Sequence, residues 1–265
     1  MTKELKITLV QTTIHWQDRA ANLNMLNQKL SILKKQKTDL IVLPEMFTTG
    51  FTMNAEEQYD TMQGETVERM LHWASTCSCH VMGSVIIKEK NKFYNRLLIA
   101  APNKVIQHYD KRHLFSLAGE EKTYTPGKSK LILEINGWKI LPLICYDLRF
   151  GVFSANTFQN GIYEYDAAIY VANWPDRRRK AWVNLGMARA IENQSYTVMV
   201  NRVGKDANGL SYKGYSACFD YMGEKISSLK PGVSAMETVT LSYKKLYEFR
   251  KQFAFLNDAA HFQLK

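Results

Sequence analysis

The apolar positions of this chain change their spacing along its length, and each change marks an element. Residues 5–10 alternate and read as a strand. Residues 20–35 carry Leu23, Leu26, Leu30 and Leu33 at three-and-four spacing, which predicts an amphipathic helix. Residues 40–43 are a short apolar run, read as a strand. Residues 66–75 place Val67, Met70, Leu71 and Ala74 on one face, a second helix. Strands follow at 81–87, 96–101 and 105–109, the last after a turn at Pro102-Asn103. Residues 131–135 and 138–144 flank Asn136-Gly137, a strong hairpin signal. Further strands are expected at 167–171, 198–203, 215–219, 224–229 and 234–241, with helices at 182–193 and 244–251. Strands alternate with helices early and hairpins appear later. That order predicts an α/β fold, a mixed sheet system with helices outside. No linker, repeat or low-complexity segment divides the chain, so one domain is the simplest organisation.

Composition narrows the function classes. The 265 residues suffice for one large α/β domain, and the hydrophobic fraction of 46% is that of a soluble globule. No apolar run approaches the roughly 18 residues of a membrane span. The N-terminal segment lacks the apolar core of a secretory signal, so a cytoplasmic location is expected. Cys77, Cys79, Cys145 and Cys218 form no zinc or thioredoxin pattern and are expected to be reduced thiols. The net charge of +10 and the stretch Arg177-Arg178-Arg179-Lys180 permit nucleic-acid binding. No nucleic-acid fold signature accompanies them, so a solvated face or an anionic small substrate is the expectation.

Three apolar runs end on reactive side chains. Leu141-Pro142-Leu143-Ile144 stops at Cys145. Leu40-Ile41-Val42-Leu43-Pro44 stops at Glu45. The strand at 105–109 runs into Lys111. Strand ends are where α/β proteins gather their chemistry. Taken singly, each has a plain explanation: a buried structural cysteine, a solvated glutamate after a proline, a surface lysine in a loop. Together they make an acyl-transfer site. A carboxylate takes the thiol proton, the sulfur attacks, and a cation steadies the oxyanion.

The segments that carry these residues resemble a known family. Leu43-Pro44-Glu45-Met46-Phe47, Tyr109-Asp110-Lys111-Arg112-His113-Leu114-Phe115 and Cys145-Tyr146-Asp147-Leu148-Arg149-Phe150 look like the three signature segments of the nitrilase superfamily of carbon–nitrogen hydrolases. Ala172-Asn173-Trp174-Pro175, Ala188-Arg189-Ala190-Ile191-Glu192-Asn193, Asn201-Arg202-Val203-Gly204 and Asp206-Ala207-Asn208-Gly209 continue the agreement, which runs from about Leu5 to about Leu241. The residues after Glu45 and around Lys111 resemble the ω-amidase branch.

The resemblance implies a four-layer α-β-β-α sandwich, one domain over 1–265, with subunits joined through helical faces into a homodimer or higher homo-oligomer. It implies no cofactor and no metal. Cys145 becomes the nucleophile, Glu45 the general base, and Lys111 the oxyanion donor with the backbone N–H of Tyr146. A second glutamate is implied in Gly119-Glu120-Glu121, and the following Pro126-Gly127 selects Glu120, to orient Lys111 and the attacking water. Arg178 falls where the ω-amidase branch shows an arginine suited to a substrate carboxylate. Phe115, Tyr146 and Trp174 either wall the pocket or pack in the core. The implied substrate is a small amide such as 2-oxoglutaramate or 2-oxosuccinamate. An N-carbamoyl amino acid hydrolase or nitrilase with the same triad, or a non-catalytic binding protein, stays open. Gly151 and Ala155 depart from the usual pattern, which bears on pocket shape.

Overall fold

The computed structural model describes residues 4–260, so the extreme ends of the expected 1–265 domain lie outside it. Two mixed sheets stack face to face. The first has six strands in the order Ala235–Ser242, Glu4–Gln11, Leu40–Val42, His80–Glu89, Lys92–Ala100 and Ile106–Asp110. The second has five, in the order Ala217–Phe219, Tyr196–Asn201, Ala167–Ala172, Trp138–Ile144 and Leu133–Ile135. Each has a parallel centre and antiparallel edges.

Side-chain alternation explains the layering. Leu5, Ile7, Leu9, Leu40 and Val42 point between the sheets and share one core with Ile140, Ile169 and Val198 of the second sheet. Ile41 and Leu43, one residue out of step, point the other way, against Leu23, Leu26, Leu30, Met70 and Trp73 of the outer helices Arg19–Ser31 and Glu65–Cys77. The helix Arg179–Glu192 covers the second sheet. Its Gly186 sits where a β-carbon would fall 1.9 Å from the Met199 sulfur, so a larger residue there would have to displace the Met199 side chain. The result is the α-β-β-α sandwich. The C-terminal helix Tyr243–Gln252 is tied down by Arg250, which donates to Asp166 at 2.7 Å. No helix among the described residues is long and apolar enough to cross a membrane.

Asn136 and Gly137, at φ 51° and 75°, form the two-residue hairpin turn that the sequence predicts. Three expectations need correction. The expected helix at 20–35 is α-helical only to Ser31 and tightens into a 3-10 turn at Ile32–Lys35. The strand expected at 198–203 leaves its sheet at Asn201, and Val203–Lys205 pairs instead with Ser211–Lys213 in a small hairpin. The segment 224–229 is not a strand. It makes a single bridge, Phe219 to Lys225, and Asp220 Oδ1 holds the turn by accepting from the N–H groups of Met222 and Glu224.

Candidate active site

Four loops that follow strands meet over one cavity of about 790 Å³. Each turns sharply. Pro44 ends the run after Leu40–Val42, and Met46 takes a positive φ of 42° just past Glu45. Cys145 itself stands at φ 43°, at the head of a 3-10 turn, Cys145–Arg149. A cysteine in this left-handed region is strained, and the surrounding hydrogen bonds hold it there. Asp147 supplies most of them. Its buried carboxylate accepts from the N–H of Ile144 at 3.0 Å, the Tyr109 hydroxyl at 2.8 Å and the N–H of His113 at 3.0 Å. It also meets His113 Nδ1 at 2.8 Å. The nucleophile turn is thereby bolted to the loop that carries Lys111, and His113 is a structural partner.

Lys111 is buried and donates to two buried carboxylates: Glu45 Oε1 at 3.0 Å, and both oxygens of Glu120 at 3.0 and 2.9 Å. Glu45 Oε2 accepts from the backbone N–H of Asn173 at 2.8 Å, and the Asn173 amide returns to the Glu45 carbonyl at 2.6 Å. Asn95 joins the two acids, donating to Glu45 Oε1 at 2.8 Å and Glu120 Oε1 at 3.3 Å, while Ser84 donates to its carbonyl oxygen at 2.8 Å. Glu120 also accepts from the N–H of Phe115.

The electrostatics follow from this packing. Burial alone would lower the Lys111 ammonium, but Glu120 and Glu45 outweigh it and hold the lysine well above its ordinary value. Burial raises the Glu120 carboxyl, with Lys111 pulling against it. The Cys145 thiol is pushed well above its ordinary value, first by burial and then by the charges of Glu45 and Glu120, with Lys111 opposing. Its hydrogen bond to Glu45 adds to the rise. The resting sulfur therefore carries its proton next to a carboxylate able to take it. Among the described residues, no group of three His, Cys, Asp or Glu side chains is placed to hold a metal ion.

Glu45, Lys111, Cys145, Phe115, Tyr146, Trp174 and Arg178 all line the cavity. Glu120 stands behind Lys111, which donates to both its carboxylate oxygens, and is not part of the wall. Phe115 and Tyr146 pack edge to face with centroids 4.9 Å apart. Trp174 is nearly buried, with its indole N–H on the Arg178 carbonyl at 2.9 Å, so it is both wall and core. Arg178 lies over the Phe115 ring at 5.0 Å, and among the described residues it has no carboxylate partner. Burial, then Arg177, makes its charge harder to carry. Arg177 also lines the cavity, whereas Arg179 reaches towards Asp176 at 3.9 Å and is not part of the wall.

Gly151 and Ala155 line a separate surface cavity and not this one, so Gly151 bears on the pocket only through Arg189. A β-carbon at Gly151 would fall 2.8 Å from Arg189 Nη1, and Arg189 props the nucleophile turn by donating to the Leu148 carbonyl at 2.9 Å. Sequence reasoning missed Asn95, Asp147 and the clamp made by Asn173. Asn95→Ala is expected to cost about 1.5–3 kcal/mol, the range for a hydrogen bond to a charged group, and to lower kcat by loosening both acids. Urea unfolding and steady-state rates check this; an unchanged kcat would show that Lys111 alone positions them.

Comparison with known proteins agrees with the geometry. The family model described as carbon-nitrogen hydrolase matches residues 6–251. The chain is 43% identical to the ω-amidase YafV of Yersinia enterocolitica over 98% of both chains, and 42% identical to that of Escherichia coli K12 over the same share. It is 30% identical to a 2-oxoglutaramate amidase of Bacillus subtilis, over 77% of this chain and 79% of the relative. A Xanthomonas campestris protein of the CN-hydrolase superfamily, solved with an arsenic adduct in its active site, superposes with a TM-score of 0.97 at 39% identity, over 99% of this chain and 100% of that one.

Proposed function

Since the chain belongs to the carbon–nitrogen hydrolase family, we propose that it is an ω-amidase, releasing ammonia from the terminal amide of a small carboxylate-bearing substrate of the 2-oxoglutaramate or 2-oxosuccinamate type. One observation carries this reading. The Cys145 thiol, Glu45 and Lys111 line one cavity whose wall also presents Arg149, Arg177 and Arg178, none with an acidic partner among the described residues. The names of the relatives support the same substrate class.

The chemistry follows from the contacts. Glu45 takes the thiol proton as Cys145 sulfur bonds to the amide carbon. The carbonyl oxygen becomes an oxyanion, faced by the Lys111 ammonium and the N–H of Tyr146. That N–H lies in the first turn of Cys145–Arg149, where backbone donors lack partners within the helix. The intermediate collapses, the C–N bond breaks, and Glu45 passes its proton to the departing nitrogen as ammonia. Water then enters, Glu45 takes a proton from it, and the hydroxide attacks the thioester. Cleavage of the C–S bond releases the acid, and the sulfur recovers its proton from Glu45. Lys111 stays charged throughout, held by Glu120.

Ammonia release from a panel of ω-amides, neutral amides, N-carbamoyl amino acids and nitriles, with Cys145→Ala as blank, tests the assignment. Preference for a carbamoyl or nitrile substrate would overturn it. Arg178 carries the substrate selectivity in this reading, because its guanidinium offers the paired donors that match a carboxylate. Arg178→Ala is expected to raise KM for an anionic ω-amide by the equivalent of about 1.5–3 kcal/mol. Turnover of a neutral short amide should change little. Equal losses on both substrates would make Arg178 a structural residue, and a selective loss at Arg177 would move the role there.

A further inference from the structure

Cys77 and Cys79 sit in the outer helical layer, and neither lines the cavity at Cys145. The helix Glu65–Cys77 ends on Ser78, which is in the left-handed region at φ 51° and ψ 39°. A single residue of helical geometry sets the α-carbons on its two sides about 5.4 Å apart. A disulfide spans α-carbons roughly 4.4–6.8 Å apart, so the turn already has the right reach. The Cys79 N–H closes on the Ala74 carbonyl at 3.1 Å, which folds Cys79 back against the end of the helix that Cys77 terminates.

The two thiols are unequal. Cys77 is half-buried and Cys79 is buried. The Cys79 hydrogen bond, then burial acting the other way, then the Lys34 ammonium leave Cys77 lowered to about 7. The Leu30 carbonyl, 3.8 Å from the Cys77 sulfur, favours the protonated form and is outweighed. Cys79 is driven far upward by the same hydrogen bond and by burial. A half-buried thiol whose charged form is favoured, beside a buried partner that keeps its proton, divides the work of thiol–disulfide exchange.

We propose that Cys77 and Cys79 form a reactive dithiol that exchanges with small disulfides, Cys77 attacking and Cys79 resolving, to close a disulfide across Ser78. The Cys77 thiolate bonds to one sulfur of a small disulfide and expels the other half as a thiolate. That thiolate takes the Cys79 proton. The Cys79 sulfur then attacks Cys77 and expels the second half as a thiolate, which takes back from solvent the proton Cys77 gave up on ionising. Two protein thiols are oxidised, and one small disulfide is reduced to two thiols.

The test incubates the folded Cys145→Ala protein with oxidised glutathione near neutral pH, quenches with iodoacetamide, and maps the cysteines by mass spectrometry. The Cys145→Ala background removes competition from the other site. The expected result is an internal disulfide in the peptide that contains Cys77 and Cys79, with Cys218 alkylated after denaturation. Cys79→Ser in that background should stop at a glutathione adduct on Cys77. Cys77→Ser, a small change at a half-buried position, should give neither product. Recovery of both cysteines in alkylated form from the unsubstituted pair overturns the proposal, as does an adduct on Cys79 in the Cys77→Ser protein.

Discussion

Cys145→Ala is expected to abolish ammonia release while the protein stays folded. Losing the nucleophile of a hydrolase that works through a covalent intermediate costs on the order of 10⁶ in kcat. The fold should tolerate the change for a specific reason. Alanine carries the same β-carbon into the positive-φ position that cysteine occupies, so no new backbone strain arises. The removed thiol lines the cavity and, being half-buried, packs only against the margin of the core, so little packing is lost. Cys145→Ser should be nearly as inactive, because a hydroxyl holds its proton more tightly than a thiol and a carboxylate is a weak base for it. Mass spectrometry of the wild type during turnover should show an acyl group on the Cys145 peptide. A folded Cys145→Ala protein within about tenfold of wild type would end the covalent mechanism.

Lys111→Ala should damage both activity and stability. In the proposed mechanism Lys111 is an oxyanion donor, whose loss costs about 2.7–4 kcal/mol of transition-state stabilisation, so kcat should fall some 10²–10³-fold. The stability cost has a separate origin. Glu45 and Glu120 are buried and share this one ammonium. Breaking a buried ion pair from one side costs about 3–5 kcal/mol. The pH dependence identifies the cause. Burial already raises the Glu120 carboxyl, and in the variant it loses the cation that pulled it back. A carboxyl raised on folding favours the folded state while protonated, and that contribution fades as pH climbs through the raised value. Lys111→Ala should thus be closest to wild type in stability at acidic pH and fall further behind towards neutral pH. Thermal melts across that range decide it; a constant deficit would mean that lost packing, not charge, is responsible.

The same residues show how much of this protein can be read from its chain. Glu45, Lys111 and Cys145 were legible because each interrupts an apolar run at a strand end, where the parallel strands must deliver their loops to one edge. The layers were legible only in part. Leu40 to Leu43 are apolar throughout and read as a strand, but an apolar run does not say that one face meets a second sheet; that came from the family resemblance and holds here. Asn95 was not read as part of the site, although a buried asparagine in step with Leu97 on a strand is itself a signal. Its partners lie 50 and 25 positions away, which no local pattern encodes. Segment 224–229 misled because its backbone pairs back on residues 218–220 only around the turn, through one bridge, and no ladder continues beyond it. Asn160-Gly161 carries the same turn signal as Asn136-Gly137 and does close a short hairpin, Phe158–Gln159 with Ile162–Tyr163, which the sequence reading passed over.

The double hydrogen bond between Glu45 and Asn173 joins residues 128 positions apart, one from each sheet. The proposed base is therefore a rivet in the seam of the sandwich. A chain growing from its N-terminus makes Glu45 long before it makes the residue that holds it, so competence arrives late, when the second sheet docks. The reverse should hold in unfolding. Prising the sheets apart at any point along the seam releases the carboxylate, and ammonia release becomes a gauge of the closed sandwich as a whole. In a urea titration the activity and the far-ultraviolet sheet signal should fall together, with one midpoint.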